Sequence, residues 1–201
     1  MITIPDLFAH VSTHLSMAAS ALLLALAIAF PLGLLTGHTT RGRSALLTTF
    51  NIGRVIPSLA VLALAQPFLG VGFKTAVVAL TLLAIPPIII NTDLAFRGIP
   101  ASAVDAASGM GMTFWQRLRR VEWPLALPVI FAGIRTAATE LIASATLAAF
   151  IGGGGLGEYI LRGLQANDQQ LLVTGSVAVA GLAICVEVIL AFTARFIGER
   201  S

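Results

Sequence analysis

The length of its apolar segments constrains this chain more than any other feature. Segments of about 20 apolar residues match the hydrocarbon thickness of a bilayer when they are helical. Because a lone segment in lipid must hydrogen-bond its own backbone, each is predicted to be an α-helix. The sequence therefore predicts an all-α membrane protein with one five-helix domain over residues 1–201. The predicted spans are residues 16–36, 47–66, 75–95, 125–149 and 171–194.

Composition supports this class, because 57% of the residues are apolar and only 10% are charged. A soluble domain of this length has too little interior for so much apolar surface. Two of the predicted spans are less regular than the others. The second contains Asn51, Arg54 and Pro57, and the third contains two adjacent prolines.

The positive charges are unequally divided between the two sides of the predicted bundle. Lys74 and Arg162 fall on one side. The other side carries Arg41, Arg43, Arg54, Arg97, Arg117, Arg119, Arg120, Arg195 and Arg200. The positive-inside rule then places the N-terminus outside and the C-terminus in the cytoplasm, with residues 97–124 cytoplasmic. Basic residues at helix ends are explained by the membrane, so no nucleic-acid partner is expected.

Two flanking features refine this topology. Positive charge follows the first span instead of preceding it, which favours a retained span over a cleaved secretory signal. Residues 150–170 are too polar for a sixth crossing, and the glycine run within them predicts a tight turn on the outer side. A phosphate loop is disfavoured there because the Lys-Ser/Thr pair is absent.

The polar segment 97–124 has the composition of an ordered loop. Residues 101–108 favour a helix, and Gly109 and Gly111 are predicted to interrupt it. Thr113 and Gln116 fit a capping box that opens a second short helix. That helix has an apolar face and an arginine-rich face. Amphipathicity alone leaves two interpretations open, an interfacial helix against lipid phosphates or a docking element.

A spaced pattern runs through this segment into the fourth span: an acidic residue and two alanines, then a glycine, then a Leu-Pro pair. The positions are Asp105, Ala106, Ala107, Gly109 or Gly111, Leu127 and Pro128. The pattern resembles the EAA loop of bacterial ABC importer permeases, in which Glu stands where this chain has Asp105. Aspartate keeps the charge but shortens its reach.

The resemblance covers roughly residues 15–195 and continues through 133–137, 145–148 and 151–157. The combination is most similar to permeases for glycine betaine, choline, carnitine and related osmoprotectants. Methionine-type importers are near neighbours, and a small oligomeric channel is an alternative from another class.

The resemblance implies a type I importer permease, similar to that of methionine importers, in a bacterial inner membrane. It makes residues 97–124 a coupling loop that docks on an ATPase. The implied coupling residues are Asp105, Ala106, Ala107, Gly109, Gly111, Arg117, Leu127 and Pro128. The implied partners are a second permease subunit, identical or related, two cytoplasmic ATPases, an extracytoplasmic substrate-binding protein and lipid.

No enzymatic site is expected in this chain. It has no Gly-x-x-x-x-Gly-Lys-Ser/Thr loop, so ATP would be used by the partner subunits and no cofactor or metal is expected here. His10 and His14 are spaced as two metal ligands on a helix, but no metalloprotease motif surrounds them. A Gly-x-Ser-x-Gly nucleophile elbow is also absent.

Polar residues within or at the ends of spans are the candidates for a translocation path. The candidates are Asn51, Ser58, Glu140 and Ser144. Ionisable groups at membrane depth face a partner or an aqueous cavity. Glu140 is therefore interpreted either as a carboxylate that attracts a cationic substrate or as a buried group, paired with another helix or protonated. Glu187 is interpreted as a pairing residue within the bundle.

Overall fold

The computed structural model describes residues 4–198, and in that range the chain is helical apart from turns. Four long helices carry the bundle. They are α1 Ile4–His38, α4 Phe73–Arg97, α7 Trp123–Ala145 and α9 Gln169–Gly198. Each belongs to a helical stretch long and apolar enough to cross a membrane, which confirms the first, third, fourth and fifth predicted spans.

The second predicted span, residues 47–66, is divided into two helices instead of forming one. Helix α2 covers Arg43–Gly53, helix α3 covers Ser58–Leu69, and the two are bent by 97°. Pro57 caps α3, and a proline disfavours helical geometry in the residue before it. Counting the bent pair as one span gives the predicted five.

Helix α4 is the centre of the bundle and packs against both α1 and α7. Small residues let these helices approach closely. On α1, Ala21, Ala25 and Ala29 are spaced by four and are fully buried. Pro86 and Pro87 lie inside α4 without ending it, which neighbouring helices make possible in membrane proteins.

The segment 97–124 contains α5 Ala101–Gly109, α6 Phe114–Arg117 and one π-helical turn, Leu118–Glu122. From α6 onward the helical stretch is continuous to the end of the fourth span, over Phe114–Ile151. Two prolines near the start of α7 therefore do not separate the loop from the span.

The opposite end of the bundle contains a 3₁₀ turn, Thr146–Ile151, and the amphipathic helix α8 Gly157–Ala166. The predicted tight turn lies between them. Three of its glycines, Gly152, Gly154 and Gly155, have φ between 70° and 83°, where other residues are strained. In the described part of the chain no sixth spanning helix occurs here.

Candidate functional site

Residues 97–124, named the coupling segment here for the docking role that the sequence predicts, form a mostly exposed pair of short helices. Asp105 and Ala106 are exposed on α5, whereas Ala107 is buried against the rest of the segment. The predicted capping box is confirmed: the Thr113 N–H donates to Gln116 Oε1 at 2.9 Å, and the Gln116 N–H donates to Thr113 Oγ1 at 3.4 Å. This box fixes where α6 begins.

The two glycines predicted to interrupt the first helix of this segment differ in conformation. Gly109 is the last residue of α5, whereas Gly111 has φ +76° in the turn that follows. The Met112 N–H donates to the Ala107 carbonyl across that turn, which closes the helix end. Gly111 alone therefore requires glycine for its backbone angle. Leu127 and Pro128 are half-buried inside α7 and do not belong to the exposed segment.

A buried carboxylate, Glu122, ties the coupling segment to the bundle. Its side chain is 3% exposed, and Arg117 Nε donates to it at 2.6 Å. His38, at the end of α1, places Nε2 2.6 Å from the other carboxylate oxygen. Arg117 also donates to Ser108 Oγ on α5 at 3.3 Å. Arg117, predicted as a docking residue, is thus engaged within the segment itself.

Asp93 is a second buried carboxylate near the same end. Arg43 donates two hydrogen bonds to it, from Nε to Oδ1 at 2.9 Å and from Nη2 to Oδ2 at 2.6 Å. Arg97 lies 3.6 Å from Oδ1 and donates to the carbonyls of Thr36 and Thr39 at 2.9 and 2.6 Å. The ends of α1 and α4 and the start of α2 are therefore held together.

Sequence reasoning missed Asp93, Glu122 and His38 as parts of this framework. Two acidic residues at the ends of spans, followed or preceded by arginines, were the available signal. That signal does not reveal burial or the partner, because Arg43 and His38 are 50 and 84 positions away from their carboxylates.

Three of the candidate path residues meet in one cavity of about 360 Å³ between the α2–α3 break and α7. Ser58 lines it from the start of α3, and Glu140 and Ser144 line it from α7. The other lining residues are Arg54, Val55, Ile56, Pro57, Leu83, Ala84, Leu141 and Ala143. Asn51 is exposed on α2 and is not part of this lining.

Glu140 has a partner on another element, Arg54, which the sequence did not indicate. Arg54 Nη2 lies 3.5 Å from Glu140 Oε1, at the long limit of a hydrogen bond. The side chains are 46% and 44% exposed, respectively. Glu187 is paired as predicted: it accepts hydrogen bonds from Arg135 and joins α9 to α7.

The far end of the bundle has its own polar cluster on α1 and α8. The rings of His10 and Tyr159 are 4.6 Å apart between centroids, and His10 Nε2 is 3.4 Å from Glu158 Oε2. Arg162 donates to the same carboxylate oxygen at 2.5 Å. Burial, with a further contribution from Asp6, raises the pKa of the Tyr159 phenol above its ordinary value. These contacts fasten α8 to the start of α1.

Comparison of the sequence with known proteins agrees with the predicted family. Residues 29–200 match the family described as "Binding-protein-dependent transport system inner membrane component". The glycine betaine/carnitine/choline transport system permease protein OpuCB of Bacillus subtilis is 42% identical over 190 residues, covering 94% of this chain and 88% of the relative.

Two further relatives have similar coverage. The choline transport system permease protein OpuBB of Bacillus subtilis is 42% identical over 182 residues, covering 90% of this chain and 84% of that protein. The osmoprotectant import permease protein OsmY of Salmonella typhimurium is 40% identical over 184 residues, covering 90% of this chain and 78% of that protein.

The fold has a counterpart among solved structures. An inward-facing structure of the MetNI methionine ABC transporter contains a chain that superposes with a TM-score of 0.82, at 24% identity, over 98% of this chain and 99% of that one. A second crystal form gives 0.86 at 23% identity, with the same coverage of both chains. The predicted methionine-importer-like fold is therefore confirmed. The chain belongs to the family of inner membrane components of binding-protein-dependent transport systems, and is an ABC importer permease.

Proposed function

We propose that this permease carries quaternary-ammonium osmoprotectants such as glycine betaine, choline and carnitine into the cell. The observation that supports this most directly is the 42% identity over 94% of the chain to a permease named for those three compounds. Similarity to the methionine transporter structure is lower, at 24% identity, and supports a shared fold. Methionine is therefore the second candidate substrate.

The proposed assembly contains a second permease subunit, identical or related, two cytoplasmic ATPases and an extracytoplasmic binding protein. The N-terminus would lie outside and the C-terminus in the cytoplasm, as the arginine distribution favours. ATP would be hydrolysed by the partner subunits. Asp105 and Ala106 on the exposed face of α5, together with the Gly111 turn, would form the surface that docks on the ATPase.

Motion of the docked segment would reach the spans through rigid connections. Helix α6 continues into α7 without a break, so a displacement at Phe114 moves that span directly. Arg117 and Glu122 join α5 to the same helical stretch, and His38 adds the end of α1. ATP-driven closure of the ATPases would thereby bias the bundle between two arrangements.

The cavity at the α2–α3 break would form part of the translocation path. Irregular backbone at membrane depth is tolerated where protein buries it or where it lines a water-filled cavity. Glu140 and Arg54 are both substantially exposed there, which is costly against lipid. Ser58 and Ser144 would add polar lining, and Asn51 would extend it one turn before the break.

Reconstitution with the ATPase and the binding protein in proteoliposomes tests this function. We expect ATP-dependent uptake of glycine betaine or choline and no uptake of methionine. Methionine uptake in their place would assign the second candidate, and osmolyte uptake without ATP would indicate a channel.

Gly111→Val tests the coupling segment in the same assay. A β-branched residue at φ +76° strains the turn by about 1–2 kcal/mol or distorts it. We expect at least a severalfold loss of ATP-linked uptake with normal membrane abundance. Gly109→Ala is the matched control, because Gly109 is helical and a Cβ there meets no atom within 4 Å. Wild-type uptake by Gly111→Val would remove this turn from the coupling mechanism.

A further inference from the structure

We infer that Arg54 and Glu140 are the two poles of a substrate subsite in the cavity. Arg54 would bind the carboxylate of a zwitterionic osmolyte, and Glu140 would bind the quaternary ammonium group of a zwitterion or a cation. The inference rests on the proposed osmoprotectant function and names the residues that distinguish its substrates.

The two poles are presented by different elements that line the cavity. Arg54 follows the last residue of α2, at the start of the break, and Glu140 lies on α7. The first turn of α3 begins beside Arg54 and lines the same cavity through Pro57 and Ser58. The N-terminus of a helix carries partial positive charge and N–H groups without intrahelical acceptors. The arginine and this helix end therefore bring positive charge to a cavity whose lining contains one carboxylate.

The Arg54–Glu140 pair is poorly suited to holding the fold together. Its single contact is 3.5 Å long, and both side chains are almost half exposed. Exposed pairs of this kind contribute little to stability. The Arg43–Asp93 pair is the contrast, with two hydrogen bonds to a carboxylate that is 3% exposed. A loose pair in a cavity can exchange its partners for a ligand that carries both charges.

The chemistry of a zwitterionic osmolyte fits binding of its ammonium group by Glu140 and of its carboxylate by Arg54. A quaternary ammonium group has no N–H to donate, so it is recognised by negative charge or by aromatic faces. The residues that line this cavity include no aromatic side chain, and Glu140 is the anionic one among them. A guanidinium binds a carboxylate through its planar fork. At about 360 Å³, the cavity lies within the range of roughly 300–1,000 Å³ typical of small-molecule sites.

The test compares glycine betaine with choline, which has the same ammonium group but no carboxylate. Initial uptake rates are measured in proteoliposomes at saturating substrate, with one binding protein throughout, so that its preference cancels between variants. Arg54→Gln should lower glycine betaine uptake about tenfold and spare choline, because only the zwitterion loses a charged partner. Glu140→Gln should shift the ratio in the opposite direction, because choline loses its only charged partner and remains beside Arg54.

The two variants decide the inference independently, so one that fails to assemble does not block the test. An equal loss of both substrates in an assembled variant would assign a structural role and overturn the subsite. Arg195→Gln on α9 is the matched control and should leave the ratio unchanged. If the wild type carries only choline, Arg54 has no carboxylate to bind and the inference is wrong.

If the wild-type permease carries glycine betaine but not choline, the two substrates cannot be compared and a different test applies. In that case Arg54→Gln must lower uptake and Arg54→Lys must restore most of it, and undiminished uptake by Arg54→Gln overturns the subsite. If the wild-type permease carries neither osmolyte, the proposed function itself is wrong. That outcome is distinct from a failure of the subsite inference alone.

Discussion

Individual carboxylates in this permease divide by burial into two kinds. The side chains of Asp93 and Glu122 are each 3% exposed, and each is held by more than one basic side chain. Asp105 and Glu140 are exposed, on α5 and α7 respectively. Removing a buried carboxylate leaves its basic partners without their acceptor in a poorly solvated site. Removing an exposed carboxylate costs little, because water solvates the groups around it. The first two should therefore govern stability, and the last two should govern docking and transport.

Asp93→Ala tests this division. It leaves Arg43 and Arg97, whose side chains are 34% and 31% exposed, without their shared carboxylate, at a cost of about 1–3 kcal/mol. We expect a clearly lower thermal unfolding midpoint for the purified permease. Asp105→Ala, on the exposed face of α5, should leave the midpoint unchanged. Equal midpoints for the two variants would mean that the Asp93 cluster does not hold the helix ends together.

Helices α1, α4 and α7 pack at distances that only small residues permit. A Cβ added at Gly33 would lie 2.5 Å from Thr92 Cβ, and one at Gly133 would lie 2.5 Å from Asn91 Cβ and 3.0 Å from the Pro87 carbonyl oxygen. Apolar pattern alone predicted that these segments are helices. It did not indicate that Gly133 is a contact point, because the opposing atoms belong to a helix more than 40 positions earlier in the chain.

Alanine substitutions at two glycines within helices distinguish the cost of a steric clash at a helix contact from the gain in helix propensity. Gly133→Ala forces α4 and α7 apart and should cost about 1–3 kcal/mol, seen as a lower unfolding midpoint and lower membrane abundance. Gly181→Ala on α9 meets no atom within 4 Å. It should be neutral or gain up to about 1 kcal/mol through helix propensity. Tolerance of both substitutions would contradict the close α4–α7 contact.

The two ends of the bundle differ in charge and in construction. One end carries the coupling segment and the clusters around Asp93 and Glu122, and the other carries the glycine turn and α8. The large apolar side chains exposed on α9, including Val177, Ile184 and Phe192, are consistent with a helix that faces lipid. The arginine distribution predicts that the coupling end faces the cytoplasm.

Cysteine labelling tests that orientation. Cys185 is the chain's single cysteine, so Cys185→Ser gives a cysteine-free background. Ser102→Cys on α5 should react with a membrane-impermeant maleimide only in inverted vesicles. Gln165→Cys on α8 should react only in intact spheroplasts. The reverse pattern would place the coupling segment outside and exclude docking on a cytoplasmic ATPase.

The sequence by itself determined the membrane class, the apolar segments, the capping box of α6 and the family pattern. Each depends on residues that are close together in the chain. There the hydrophobic periodicity, the composition and the local hydrogen-bonding motifs can be recognised directly in the sequence. It also selected Ser58, Glu140 and Ser144, because polar groups in apolar segments stand out by composition.

Only the tertiary structure decided how those residues are partnered. It placed Arg54 against Glu140 across 86 positions and His38 against Glu122 across 84. It also bent the second span by 97° at Pro57 and closed α4 against α7 at Gly133. These features depend on which side chains the packed helices bring together, and a contact between distant segments leaves no periodic signal in either segment.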